Sequence, residues 1–225
     1  MVQPWLIKIL EFIGNYLGHP LFIPLYAYGF YYLDDQKNHQ PQGNWIHFTV
    51  IFLLLVLFPL LIYPLLRKEN KVQSIHLKTV RERIWPLGIN LVLWSSIICY
   101  FTFIIPQFQS AQVNPTQPLI TFFLGGAISI FMAVIMAILG HKSSLHMMGV
   151  SGLALFFILK YSHDSNLNTN PTLLPISLGI IAILWVGLAR YNAKAHSAVE
   201  LVTGFAAGAL SQVLALNLYY ESLMR

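Results

Sequence analysis

Charged side chains are scarce in this sequence. Only 9% of its 225 residues are Asp, Glu, Lys or Arg, and 56% are hydrophobic, whereas a soluble domain has about a quarter charged residues. This composition excludes a water-soluble globular protein. The net charge of +5 suits an anionic membrane surface, and nucleic acid would call for a basic stripe on a soluble fold. The sequence therefore predicts a protein whose partner is the bilayer and not nucleic acid.

Cysteine is also nearly missing. The single Cys99 lies within an apolar run and has no intrachain partner, which excludes a disulfide framework and a cysteine-based metal site. The N-terminus has no short apolar core followed by a small-residue cleavage site, so no removable signal peptide is predicted.

Long apolar runs are what the sequence has in abundance. A helix needs about 20 mostly apolar residues to cross the hydrocarbon layer. We therefore expect one all-α integral membrane domain over 1–225, a bundle of six to seven spans, with an amphipathic interfacial helix at 1–18. Two runs, the first and the fifth, are short, which leaves the number of spans open. The runs cover residues 20–33, 45–66, 85–105, 118–139, 145–159, 173–188 and 198–219.

Basic residues are unevenly distributed over the connections. With seven spans, the connections 67–83, 141–144 and 191–197 fall on one face together with the N-terminus, and most Lys and Arg residues lie there. The positive-inside rule places this face in the cytoplasm. Several of these cations are also candidates for binding an anion. If they are not counted, the excess of Lys and Arg on this face is much smaller.

Small residues in the last run predict close helix packing. Gly204 and Gly208 form a GxxxG spacing, and Gly149 and Gly152 are a similar pair in the fifth run. Such spacings let a neighbouring backbone approach closely. We expect packing within the chain, and the oligomeric state stays open.

Three polar clusters carry the chemistry, because ionisable residues are costly at membrane depth. The cluster nearest the C-terminus covers residues 189–200. In it, His196 and Glu200 are four positions apart and so share a helical face, and Arg190 lies nearby in the sequence. The carboxylate can fix the imidazole tautomer, and the arginine fork suits phosphate oxygens. His196 is therefore a candidate nucleophile toward phosphorus. The structural alternative is a His-Glu pair at a helix start with an arginine reaching the interface.

The other two clusters add cations and a second histidine. Residues 141–146 include Lys142, Ser144 and His146 at a predicted helix N-terminus, where an anion can bind and His146 can act as general acid. A serine cap with a buried histidine is the alternative. Residues 78–86 place Lys78 and Arg81 at helical spacing, able to converge on a phosphate. Loop charge beside an interfacial tryptophan would explain the same pattern.

Together the clusters resemble the type 2 phosphatidic acid phosphatase family, whose members share a helical core with vanadium haloperoxidases. The family motifs are Lys, six residues, Arg-Pro; Pro-Ser-Gly-His; and Ser-Arg, five residues, His, three residues, Asp. This sequence has Lys78, six residues, Trp-Pro; Ser-Ser-Leu-His ending at His146; and Ala-Arg190, five residues, His196, three residues, Glu200. The resemblance spans residues 78–200.

The resemblance implies a metal-independent phosphatase, without a cofactor, acting on a phosphomonoester or diphosphate of a lipid. By analogy, His196 attacks phosphorus, Glu200 orients it and His146 protonates the leaving group. A phosphohistidine intermediate would follow. The resemblance also implies that Lys78, Ser144 and Arg190 bind the phosphate oxygens. Trp85 stands where the first motif has an arginine, and Lys142 or Arg81 could supply the missing positive charge. Because Trp85, Leu145 and Ala189 depart from the motifs, a non-catalytic phospholipid-binding or transport-related protein of the same fold is the alternative.

Overall fold

The described part of the chain is helical and contains no strand. The computed structural model describes residues 11–12, 14–35, 44–73, 79–104, 117–163 and 174–223. The all-α prediction is therefore confirmed for these residues. The helices are α1 (Ile23–Asp35), α2 (Asn44–Phe52), α3 (Phe58–Lys68), α4 (Ile84–Cys99), α5 (Gln117–Ile138), α6 (Leu145–His163), α7 (Leu174–Asn192) and α8 (Ala198–Leu223).

Five helical stretches in the described residues are long and apolar enough to cross a membrane, and they indicate an integral membrane protein. They are Trp45–Lys68, Arg81–Ile104, Pro118–Ile138, Leu174–Asn192 and Ala198–Leu218. Helix α1 has 13 residues, about 20 Å at 1.5 Å per residue, which is less than the roughly 30 Å hydrocarbon layer. Helix α6 is apolar over the shorter stretch Leu145–Tyr161. These are the two runs that are short in the sequence, so the count of six to seven spans stays a prediction.

The first long stretch continues through a π-helical segment, Leu53–Leu57, that joins α2 to α3. The N–H of Phe58 donates to the carbonyl of Leu53, five residues back. Pro59 follows, and its ring would clash with the carbonyl four residues before it in a regular α-helix. A locally wider turn removes this clash, so the helix continues past the proline.

Contacts divide the chain into two compact units, one of Met1–Ile23 with Ser143–Arg225 and one of Pro24–Lys142. The single-domain prediction is not decided by this division. In the second unit α4 packs against α5 around an aromatic cluster. The Phe123 ring lies 5.7 Å from Trp94 and 5.5 Å from Phe101 between centroids. Gly126 makes room for the Trp94 ring, which a β-carbon there would overlap.

In the first unit α6 packs against both α7 and α8. A β-carbon added to Gly204 would lie 2.5 Å from the Ser144 carbonyl oxygen, and one added to Gly208 would overlap the Met148 carbonyl and the Ser151 hydroxyl. The buried Ser151 hydroxyl donates to the Phe205 carbonyl across this contact, at 3.0 Å. The predicted use of Gly204 and Gly208 for packing within the chain is confirmed. Gly152 faces the same contact, at Gly208 and Gln212, whereas Gly149 faces Ile23.

Candidate functional site

His196 and Glu200 are hydrogen-bonded at the start of α8. The His196 Nδ1 atom lies 2.9 Å from Glu200 Oε2, and His196 is buried, with 8% of its surface exposed. A carboxylate oxygen only accepts, so Nδ1 carries the proton of this bond. In the neutral imidazole, Nε2 then holds the free electron pair. The pairing predicted from the four-residue spacing is therefore present, with the tautomer that a nucleophilic Nε2 requires.

The same carboxylate also caps the helix. The Ser197 N–H donates to Glu200 Oε2 at 3.1 Å, and the Glu200 N–H lies 3.3 Å from the Ser197 hydroxyl oxygen. This reciprocal pair is a capping box, which satisfies backbone N–H groups that have no partner in the first turn. The Ser-x-x-Glu spacing at residues 197–200 is a sequence signature of this motif, and it explains why α8 begins where it does.

A tight turn connects Arg190 to His196. Helix α7 ends with two bonds, from the Ala195 N–H to the Arg190 carbonyl at 3.2 Å and from the Lys194 N–H to the Tyr191 carbonyl at 2.9 Å. This pattern is a Schellman motif, whose central residue adopts a left-handed conformation. Lys194 does so with φ of 51°. The turn reverses the chain within a few residues, so the end of α7 and the start of α8 lie together.

The start of α6 joins this group. The Ser144 hydroxyl accepts the Met147 N–H at 3.4 Å and so caps α6, while the Ser144 N–H donates to the Glu200 carbonyl at 3.0 Å. Ser144 is fully buried. The residue predicted to bind phosphate is therefore a helix cap tied to α8, and its hydroxyl already has a bond to the backbone. His146 follows in the first turn of α6.

The N-terminal segment completes the cluster with two residues that the sequence did not reveal. Arg190 Nη1 donates to the Asn15 side-chain oxygen at 2.8 Å. The Asn15 backbone carbonyl lies 3.2 Å from His146 Nε2, which must be the donor. The ring of His19 meets the ring of His146 edge to face, 5.1 Å between centroids. Asn15 and His19 thus belong to the same site as Arg190 and His146.

Positive charge gathers around the second histidine. Arg190, His19 and His196 all lie near enough to His146 for their charges to act on it. His19 precedes helix α1 and lies outside the predicted spans, and burial, followed by the charge of Arg190, lowers its pKa. An anion added near these groups would favour protonation of His146.

The remaining predicted phosphate ligands belong to the second unit or lie outside the described residues. Lys78 is outside the described residues. Arg81 is exposed in a short 3₁₀ turn, Arg81–Arg83, and Lys142 ends the second unit, so both roles stay predictions. At Trp85, where the motif that the sequence resembles has an arginine, the ammonium of Lys71 lies 4.9 Å from the ring centroid. A cation is thus present beside the substituted position, and the sequence pattern alone did not point to it.

Among the described residues, no three His, Cys, Asp or Glu side chains are placed to hold a metal ion. Comparison with known proteins found no matching family model, no similar curated protein and no similar solved structure. The family resemblance therefore depends on the three sequence motifs, of which the second and third place Ser144, His146, Arg190 and His196 in one compact unit.

Proposed function

We propose that this chain is a membrane lipid phosphate phosphatase and a divergent member of the type 2 phosphatidic acid phosphatase family. Its substrate is the phosphomonoester or diphosphate of a lipid, such as phosphatidate or an isoprenyl phosphate or diphosphate. The observation that carries the proposal is the buried His196 imidazole, whose Nδ1 is bonded to Glu200 at 2.9 Å. Because Nδ1 holds the proton, the lone pair of the neutral imidazole is on Nε2, the atom that would attack phosphorus.

In the first chemical step, His196 Nε2 forms a bond to phosphorus while the bond from phosphorus to the leaving oxygen breaks. Glu200 stabilises the positive charge that develops on the imidazole. Arg190 and the N–H groups at the start of α6 stabilise the phosphoryl oxygens. The leaving oxygen takes a proton from His146, which is protonated in the complex because the negative phosphate charge stabilises its imidazolium form.

In the second step, water attacks the phosphorus of the phosphohistidine. Neutral His146 accepts a proton from that water, the bond between phosphorus and Nε2 breaks, and inorganic phosphate leaves. His196 regains its electron pair and His146 is ready to protonate the next leaving group. The cycle consumes one water and yields one alcohol, or one lipid monophosphate from a diphosphate, together with phosphate.

The architecture proposed for this activity is a bundle of six to seven spans around a phosphatase-like core. Helices α1 and α6 supply the crossings beyond the five long helical stretches, as short or tilted helices. The excess of Lys and Arg in the connections on one face supports a cytoplasmic position for that face. The lipid tail would stay in the bilayer while the phosphate reaches the cluster.

The test is phosphate release by the purified protein in detergent with a chelator present. We expect release from phosphatidate or farnesyl diphosphate, its loss in His196→Ala, and inhibition by vanadate. His141, an exposed histidine of the 141–146 cluster, provides the matched control, because His141→Ala should retain the rate. Full activity of His196→Ala would rule out the proposed nucleophile.

Two observations favour the second candidate, a phospholipid-binding protein that does not cleave its ligand. The capping box with Ser197 explains the position of Glu200 without any catalytic role. The exposed Trp85 also stands where the family has an arginine. This function predicts saturable binding of phosphatidate with no phosphate release from any lipid phosphate, and steady turnover would exclude it.

A further inference from the structure

Asn15 accepts hydrogen bonds from two groups of the candidate site at once. Its side-chain oxygen accepts from Arg190 Nη1 at 2.8 Å, and its backbone carbonyl accepts from His146 Nε2 at 3.2 Å. These partners lie 175 and 131 residues away in the sequence. A single residue of the N-terminal segment thus joins the arginine at the end of α7 to the histidine at the start of α6.

Two glycines bring this residue within reach. A β-carbon on Gly14 would lie 2.5 Å from the Ala189 β-carbon, and one on Gly18 would lie 2.5 Å from Val186 Cγ2. Both partners are buried residues of α7. Only glycine permits such close backbone approach, so the segment is held against α7 over the residues that flank Asn15. The contacts of Asn15 are therefore part of a packed interface within the first unit.

From this arrangement we propose that Asn15 is a positioning residue of the phosphate site, which aims the Arg190 guanidinium and holds the His146 proton on Nε2. The inference rests on the proposed function, because it assigns Arg190 to phosphate binding and His146 to proton transfer. Asn15 does not touch the substrate. It acts through the two side chains that it holds.

The neutrality of Asn15 is what suits it to this place. A carboxylate at the same position would pair with Arg190 and compete with an anionic ligand for its charge. An amide oxygen orients the guanidinium without adding a negative charge beside it. The two contacts also use different parts of Asn15. The bond to Arg190 uses the side chain, and the bond to His146 uses the backbone.

This separation gives the two test variants different outcomes. Asn15→Ala removes only the contact to Arg190, so KM and the vanadate inhibition constant should rise about five- to tenfold while kcat changes by less than about twofold. Asn15→Asp places a negative charge beside Arg190 and His146. It should weaken vanadate inhibition more than Asn15→Ala and move the pH dependence of kcat to higher pH. Besides the added carboxylate, the charged or titratable groups near His146 are Arg190 on α7, His19 on the N-terminal segment and His196 ahead of α8.

The experiment combines steady-state kinetics with binding of inorganic vanadate and with ¹⁵N spectra of the imidazoles in the detergent-solubilised protein. The spectra should show His146 protonated at Nε2 in the unaltered protein and in Asn15→Ala. Tyr16→Phe, at the exposed neighbouring position, is the control and should match the unaltered protein throughout. Equal effects of Ala and Asp at residue 15, or kinetics unchanged in both, would overturn the inference.

Failure of the proposed function gives a different result. If the unaltered protein releases no phosphate but binds vanadate, the phosphatase proposal fails. The vanadate affinities still decide the role of Asn15, which predicts the tightest binding by the unaltered protein, weaker binding by Asn15→Ala and the weakest by Asn15→Asp. If the unaltered protein binds no vanadate, both proposals are overturned.

Discussion

Replacing Glu200 separates the catalytic from the structural role of its carboxylate. One oxygen of that carboxylate accepts bonds from the His196 imidazole at 2.9 Å and from the Ser197 N–H at 3.1 Å. Glu200→Ala removes both bonds. Glu200→Gln keeps an oxygen that can accept them but removes the negative charge that stabilises a cationic imidazole.

The bonds set the expected magnitudes. A hydrogen bond to a charged group contributes about 1.5–3 kcal/mol, and about half of this depends on the charge. At about 1.4 kcal/mol for each tenfold change in rate, Glu200→Ala should lower kcat about 10- to 150-fold and Glu200→Gln about fivefold. Because 24% of the Glu200 side chain is exposed, screening by solvent places both effects toward the smaller values. Loss of the cap should also cost about 1 kcal/mol in the free energy of unfolding.

The assay pairs kcat for phosphate release with denaturant unfolding in detergent. Ser197→Ala is the matched control, since it removes the serine half of the capping box and leaves the bond between His196 and Glu200. It should lose about 0.5–2 kcal/mol of stability with kcat unchanged. If Glu200→Ala and Ser197→Ala lose stability and none of the three variants loses rate, the carboxylate is only a cap and the catalytic reasoning is refuted.

The remaining predictions concern packing, pH and topology. Gly208→Ala should destabilise the protein by about 1–3 kcal/mol, whereas Gly88→Ala, which meets nothing within 4 Å, should not; equal unfolding midpoints would contradict the packing of α6 on α8. The lowered pKa of His19 means that the unfolded chain binds more protons below about pH 6.5, so the free energy of unfolding should fall as pH drops from there. A pH-independent midpoint would contradict the burial of His19. Lys194→Cys, in a cysteine-free background, should react with an impermeant thiol reagent only from the cytoplasmic side, and labelling from outside would reverse the proposed orientation.

Much of the helical fold could be predicted because its cause is local. Each apolar run is long enough to form a helix whose backbone groups bond within the segment, and the start of α8 follows from the Ser-x-x-Glu spacing at residues 197–200. The bond between His196 and Glu200 is also local, since side chains four apart meet on a helix. The helical start at Ser144 was predicted from the same kind of signal.

The rest of the site depends on contacts that no local pattern encodes. Asn15 and His19 reach His146 only because Gly14 and Gly18 let the N-terminal segment approach α7 closely. The predicted interfacial helix at 1–18, most of which lies outside the described residues, did not indicate what its polar positions contact. The Ser144 hydroxyl caps α6 by accepting the Met147 N–H, and its role toward phosphate stays a prediction, because a residue type shared by caps and anion sites cannot distinguish them.

The central claim is that His196 carries the phosphoryl group during turnover. Mass spectrometry of protein quenched in alkali after brief mixing with lipid phosphate tests it, because a phosphohistidine survives alkali. We predict a phosphoryl group on His196 in Glu200→Gln and in the unaltered protein, and none in His196→Ala. Phosphate release without any label on His196, or with the label on another residue, would contradict the account.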